Sequence, residues 1–313
     1  MDEKEKKIKS SARPVTGPWK ASSQDAGKPL VLFIYEKIES KLSRREIKKS
    51  IDSGRCAING KTERFASTIL SPGWVISLKA GALTSAIPRK PFNETEILYD
   101  DSSLLIYNKP AGISSDDPNL TTWLQKRCRR IILMHRLDKN TTGALLFAKN
   151  KAIEDAIILL FRAREVHKEY VAIADGIPIH ASGIIEDYLG PLRKYEGQTI
   201  WGTVNKEGGS QRGQYAKTTW KLEKSGKETS LIRCFPETGR THQLRVHLAS
   251  IGHPILGDHQ YGEQFKSKFP ALRQLLHAEV LRFSHPLTKK LVEVRAPLPE
   301  DFTQALHALH LLG

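Results

Sequence analysis

The stretch ILMHRLDKNTTGALLFAKN, residues 132–150, runs from apolar residues into a cluster of charge and then, through Thr-Thr-Gly, into another apolar run. An aspartate set in such a half-buried turn has lost hydration and needs a partner to stay ionised. Asp138 is therefore a candidate reacting group, with His135 and Arg136 beside it. For a lone aspartate, capping a turn or bridging to Arg136 would be the simpler explanation. The stretch FPETGRTHQLRVHLASIGHPILGDHQYG, residues 235–262, adds Arg240, His242, Arg245 and His247 within about two helical turns. His242 and Arg245 are three apart and share a helix face, while Leu244, Val246 and Leu248 pack elsewhere. An inward Arg from this helix could supply the countercharge that Asp138 needs; from the surface, the same residues would bind phosphate. Tyr170, in KEYVAIADG (168–176), offers a ring for stacking on a base and a hydroxyl for proton work.

The elements that must position these groups follow from pattern. LLIYN, GALLFA, YVAIA, TTWKLE and SLIRCF read as strands, and NKAIEDAIILLFRAR and THQLRVHLASIG as helices, the second stopped by Gly252. Regular βαβ alternation and internal repeats are absent from the sequence. The expected fold is α+β: a mixed, largely antiparallel β-sheet domain with flanking helices over residues 92–313, plus a small N-terminal α/β module. That module is placed at 29–79. Within it, VLFIYEKI is apolar and partly helical. In SKLSRREIKKSIDSG, Ser43 and Glu46 have capping-box spacing, Gly54 marks the stop, and Leu42, Ile47 and Ile51 share a face. RCAINGKTER reads as a hairpin turning at Asn59-Gly60, and PGWVISL closes with a strand. Residues 1–28 read as a flexible basic tail and 80–91 as a linker.

The chain of 313 residues carries 49 Lys and Arg against 34 Asp and Glu, a formal charge of +15. Such a basic protein meets a polyanion, nucleic acid or an acidic membrane surface. Arg44, Arg45, Lys48 and Lys49 form a basic helix beside a short β-ribbon that carries Lys61, a shape that grips a phosphate backbone as readily as it makes a solvated face. No apolar run approaches a membrane span, and the N-terminus has no apolar stretch after its charges. Cys56, Cys128 and Cys234 form no C-x-x-C pair, which fits free thiols in a reducing compartment and a cytoplasmic location. HRLDKN is one leucine away from a kinase catalytic loop, but no DFG and no Gly-rich loop accompany it. Eleven histidines include no H-E-x-x-H, so no metal site is expected.

HRLDKNTTGALLFAKN is similar to the signature of RluA-type pseudouridine synthases. YNKPAG (107–112), KEYVAIADG, TGRTHQLRVHLASIGHPILGD and LLHAEVLRFSHP (275–286) match further motifs of that family in its order. LSRREIKKSIDSGRCAINGK and PGWVISL resemble the alpha-L RNA-binding module that precedes many ribosomal RNA-modifying enzymes. The resemblance implies conversion of uridine to pseudouridine within RNA, with no metal, nucleotide or organic cofactor. It places the essential aspartate at Asp138, the arginine that replaces the flipped uridine at Arg136, the family tyrosine at Tyr170 and the arginine paired with the aspartate at Arg245. Arg240, His242 and the basic helix are expected to contact RNA. The expected substrate is large-subunit ribosomal RNA and the expected form a monomer. A transfer-RNA-directed synthase, or an RNA-binding or ribosome-assembly factor of the same fold with little activity, are the alternatives. One departure stands out: where the family commonly shows a small residue followed by His-Pro after KPAGI, this chain has SSDDP, with Asp116 and Asp117.

Overall fold

The computed structural model describes residues 17–38, 44–52, 54–78, 91–195, 198–206, 213–262 and 265–312. The chain divides into two compact units, residues 1–88 and 89–313.

In the first unit the elements are β1 (Trp19–Lys20), α1 (Leu30–Lys37), α2 (Arg44–Asp52), β2 (Cys56–Ile58), β3 (Lys61–Glu63) and β4 (Val75–Leu78). The strands form one sheet in the order β1-β4-β2-β3. Asn59 and Gly60 both have positive φ, 50° and 79°, which is the turn chemistry a two-residue hairpin needs. Ile47 and Ile51 of α2 are fully buried with Phe33 and Ile34 of α1 and Ile76 of β4. Leu42, Ser43 and the side chain of Glu46 lie outside the described residues, as does the linker from 80 to 90. The fold begins earlier than the expected tail boundary at 28. Trp19 and Lys20 pair with Ile76 and Val75, and Ala21 is buried, because an aromatic and a small residue there close the edge of the sheet over the core.

The second unit carries β5 (Ile97–Asp100), β6 (Leu104–Lys109), α3 (Pro118–Gln125), β7 (Ile132–Leu133), β8 (Thr142–Ala148), α4 (Lys151–Arg162), β9 (His167–Asp175), β10 (Ser182–Tyr195), β11 (Gln198–Thr203), β12 (Gln214–Ser225), β13 (Thr229–Pro236), α5 (Gln243–Ser250), β14 (Leu276–Ser284), β15 (Leu291–Arg295) and α6 (Glu300–Ala308). One sheet runs β11-β10-β12-β13-β9-β14-β8-β6-β5, with β15 added to β14 and β7 to β8. Every described pairing is antiparallel except β8 with β14. The fold is thus a mixed, largely antiparallel sheet with helices.

Strand β8 is buried at all seven positions, as its continuous apolar run requires. Its start decides where the preceding charged turn sits. Gly143 has φ +115°, and a Cβ there would lie 2.1 Å from the carbonyl oxygen of Ala278 on β14. Only glycine allows the two backbones to approach so closely. Beside this contact the Thr142 hydroxyl bonds His277 Nδ1 at 2.8 Å. Replacing Gly143 by Ala is expected to destabilise the protein by about 3 kcal/mol or more, through backbone clash and strain together. Chemical denaturation of the variant measures it; a loss under about 1 kcal/mol would mean the strands can part without consequence.

Candidate active site

The turn between β7 and β8 carries Asp138, and almost every backbone group around it is held by a partner from elsewhere. Met134 N–H donates to Leu146 O at 3.0 Å, and Leu146 N–H donates to His135 Nε2 at 3.1 Å. Burial, and secondarily the Lys168 charge, push His135 down to about 3, so it stays neutral and keeps the lone pair that accepts this bond. The Ser115 hydroxyl accepts from Leu137 N at 2.8 Å and donates to Leu137 O at 2.9 Å. Lys139 O accepts from Gly112 N at 3.0 Å and from Lys109 Nζ at 3.2 Å. Asn140 O accepts from Arg273 Nη1 at 3.1 Å, and Asp138 O closes the turn with Thr141 N at 3.0 Å.

Helix α5 supplies the other half. It is buried nearly all round, so its polar residues must be bonded. Gln243 accepts at Oε1 from Thr238 Oγ1 and Arg240 N and donates at Nε2 to Lys217 O and Thr218 Oγ1, which fixes the start of the helix against β12. His242 caps the helix in the left-handed region, φ 57°. Arg245 then reaches Asp138 Oδ2 through Nη1 at 3.2 Å, across 107 residues of chain. Three more of its donors go to Asp258, Nε to Oδ2 at 2.6 Å and Nη2 to Oδ1 at 2.8 Å, and to Gln260 Oε1 at 2.9 Å. The guanidinium also lies 4.9 Å over the Tyr261 ring. Burial works against its charge, but the bonds and charge of Asp258, then Asp138, hold it protonated well above the usual range.

Asp138, His242 and Arg245 therefore come together, with His242 Nε2 3.9 Å from Asp138 Oδ1. Tyr170, half-buried on β9, lines the same cleft; burial, then the Asp138 charge, push its phenol well above the ordinary range, so it is neutral. The cleft has a volume of about 1180 Å³ and a basic rim that includes Arg136, Arg162 and Arg240. Lys168, bonded to Thr238 O and pulled down to about 8 by burial, stands in its wall. Arg136 is 76% exposed at the side chain and 3.9 Å from Asp116. Of the first unit's candidates, Arg44 lies 5.2 Å over the Tyr35 ring, Lys48 is half-buried and Lys61 exposed. The side chains of Arg45 and Lys49 lie outside the described residues. Among the described residues no three His, Cys, Asp or Glu side chains group as metal ligands, and no helix is long and apolar enough to cross a membrane.

Asp258, Gln260, Ser115, Lys109 and Arg273 were not singled out from sequence. Each acts through a contact distant along the chain, and only the GHPILGD and KPAG motifs that contain Asp258 and Lys109 point toward them.

A carboxylate paired with a guanidinium in a cleft rimmed by arginines suits an enzyme whose substrate carries phosphate. A family model described as RNA pseudouridylate synthase matches residues 103–250. Ribosomal large subunit pseudouridine synthase D of Zymomonas mobilis is 33% identical over 290 residues, 84% of this chain and 88% of its own length. Ribosomal large subunit pseudouridine synthase C of Buchnera aphidicola is 34% identical over 245 residues, 74% and 75% of the two chains. The solved structure of human RNA pseudouridylate synthase domain containing 4 matches with a TM-score of 0.56 at 29% identity, over 69% of this chain and 93% of that one. The chain belongs to the RluA-type RNA pseudouridine synthases, isomerases of uridine in RNA.

Lys109 offers a direct check on the turn. Fully buried, it donates in its charged form to Pro110 O and Ile113 O at 3.0 Å as well as to Lys139 O, three bonds of which the neutral amine can give two. Burial, then the Arg273 charge, pull it down to about 7 from 10.5, with Asp138 opposing. Between pH 7 and 10.5 the unfolded chain holds a proton that folded Lys109 has released, so this residue makes stability rise with pH in that window. Lys109→Met is expected to cost about 1–3 kcal/mol by leaving buried carbonyls unpaired, and to flatten the rise. Denaturation midpoints from pH 7 to 9 measure both; an unchanged slope contradicts the assignment.

Proposed function

We propose that this enzyme isomerises specific uridines of large-subunit ribosomal RNA, with Asp138 as the reacting group. The observation that carries the reading is the ion pair between Asp138 and Arg245 at the floor of a basic cleft. Relatives named as ribosomal large subunit pseudouridine synthases support the choice of RNA.

A stacked uracil is out of reach of a side chain at the bottom of a cleft, so the nucleotide is taken out of the stack. Arg136 is the group to fill its place. Its exposed guanidinium is planar, can stack between bases and can contact phosphate. Its contact with Asp116, between two exposed groups, is worth roughly 0–1 kcal/mol and is readily given up to RNA. The SSDDP departure thus leaves Asp116 as a resting partner for Arg136, while Ser115 secures the reacting turn.

Inside the cleft, Asp138 can attack the sugar or the base, or remove a proton from the sugar. Each route detaches uracil, turns it and rejoins it through carbon five, which requires that water be kept away from the intermediate. Arg245 keeps one carboxylate oxygen fixed and leaves Oδ1 free toward the substrate side. The neutral phenol of Tyr170 suits stacking on the turning ring better than removal of the carbon-five proton, because burial disfavours its phenolate. Arg240 and His242 contact the RNA around the extruded nucleotide.

The first unit acts as an RNA-binding module of the alpha-L type that begins at β1 and runs to 79, with residues 80–91 as linker to the catalytic domain at 92–313. Arg44, Arg45, Lys48, Lys49 and Lys61 supply its phosphate contacts. The enzyme acts as a cytoplasmic monomer.

Two experiments test this reading. Asp138→Asn is expected to abolish isomerisation while RNA affinity stays within a few fold. Carbodiimide-adduct mapping by primer extension reads it, since product and substrate have equal mass; activity in the variant rules the assignment out. Neutral replacements of Arg44, Arg45, Lys48 and Lys49 are expected to weaken RNA binding and lower the slope of log affinity against log salt by roughly 1 per lost phosphate contact. An unchanged slope means that the module grips RNA elsewhere or not at all.

A further inference from the structure

We infer that Tyr261 sets the tautomer of His242, so that the imidazole presents an N–H to an acceptor oxygen of the reacting nucleotide beside Asp138. Tyr261 is a positioning residue in this scheme, and His242 the donor it positions.

The hydrogen bonds run in one direction. Trp201 N–H, on β11, donates to the Tyr261 oxygen at 3.2 Å. His242 Nδ1 lies 2.6 Å from that oxygen, so the phenol's own proton has an acceptor there. Burial pushes Tyr261 up to about 12, which keeps the proton on the phenol. Burial, then the Arg245 charge, lower His242, which keeps the imidazole neutral. A neutral imidazole that accepts at Nδ1 carries its proton on Nε2. Nε2 is the atom that faces Asp138 Oδ1, 3.9 Å away.

The opposite tautomer would set an imidazole lone pair against a carboxylate, which is electrostatically unfavourable. At 3.9 Å the Nε2–H is too far from Oδ1 to bond it. The donor is therefore unspent and opens into the cleft, where both residues lie. An oxygen of the nucleotide held there would accept from His242 while the carboxylate reacts. The same ring of Tyr261 packs under the Arg245 guanidinium and edge-on to the His242 ring. One side chain thus orients both groups that flank Asp138, and it is itself tied to the β10–β11 hairpin through Trp201.

The inference rests on Asp138 being the reacting group. The test separates the two, because the tautomer is read in the free protein. With nitrogen-15 histidine labelling, the His242 ring signals, assigned by their loss in His242→Gln, are expected to report the neutral Nε2–H form near pH 8. Tyr261→Phe keeps the ring and removes the hydroxyl. It is expected to give mixed tautomers and a single-turnover rate about tenfold lower, with RNA affinity within about twofold. His242→Gln, whose amide N–H₂ reaches the Nε2 position, is expected to be faster than His242→Asn, whose amide stops near Nδ1. A wild-type ring protonated at Nδ1, an unchanged tautomer in Tyr261→Phe, or a rate there within twofold of wild type each overturns the inference.

Discussion

One guanidinium shared between two carboxylates organises the catalytic unit. Arg245 gives two parallel bonds to Asp258 and one to Asp138. The first pair is deeply buried, and the second opens to the cleft. A buried charge is tolerated only when paired and fully bonded, and removing one partner of such a pair typically costs about 3–5 kcal/mol. The planar fork of arginine matters here. A lysine in the same place could not hold Asp258 bidentately and still point a donor at Asp138. Asp258 thus aims the arginine, and the arginine aims the carboxylate of Asp138, the group proposed to react.

The turn that bears Asp138 is built in the same spirit. Its backbone is fastened by Ser115, Gly112, Lys109 and Arg273, from two other parts of the chain, and by the Gly143 contact with β14. The side chains at its tip stay accessible. Arg136 is exposed and Asp138 partly so. Under the proposed function, a turn fastened in this way needs little ordering when RNA binds, so binding goes into moving the nucleotide and not into shaping the site.

Much of this could be read from the sequence where the signal is local. The strand runs, the two long helices and the Asn59-Gly60 hairpin depend on periodicity and turn chemistry, and the structure has them in place. That an arginine of this segment would meet Asp138 was legible because a buried charge needs a partner, and the resemblance pointed to Arg245; the approach of His242 to Asp138 was not anticipated. Asp258 and Ser115 were not legible. Their partners lie 13 and 22 residues away in sequence, and nothing in an isolated Gly-Asp or Ser-Ser marks a buried bond. The start of the first unit was missed because a two-residue edge strand has no period to detect. Gly143 could be suspected as a turn residue, but its demand comes from β14, more than a hundred positions downstream.

The most direct test of this arrangement is a double-mutant cycle on Asp258→Asn and Arg245→Lys, with the single-turnover isomerisation rate as readout. If Asp258 works by aiming Arg245 at Asp138, the double variant is no slower than Arg245→Lys alone, because the lysine has already lost the aim that Asp258 provides. If the two losses instead multiply, each residue serves the reaction independently, and the chain from Asp258 through Arg245 to Asp138 is not what holds the site.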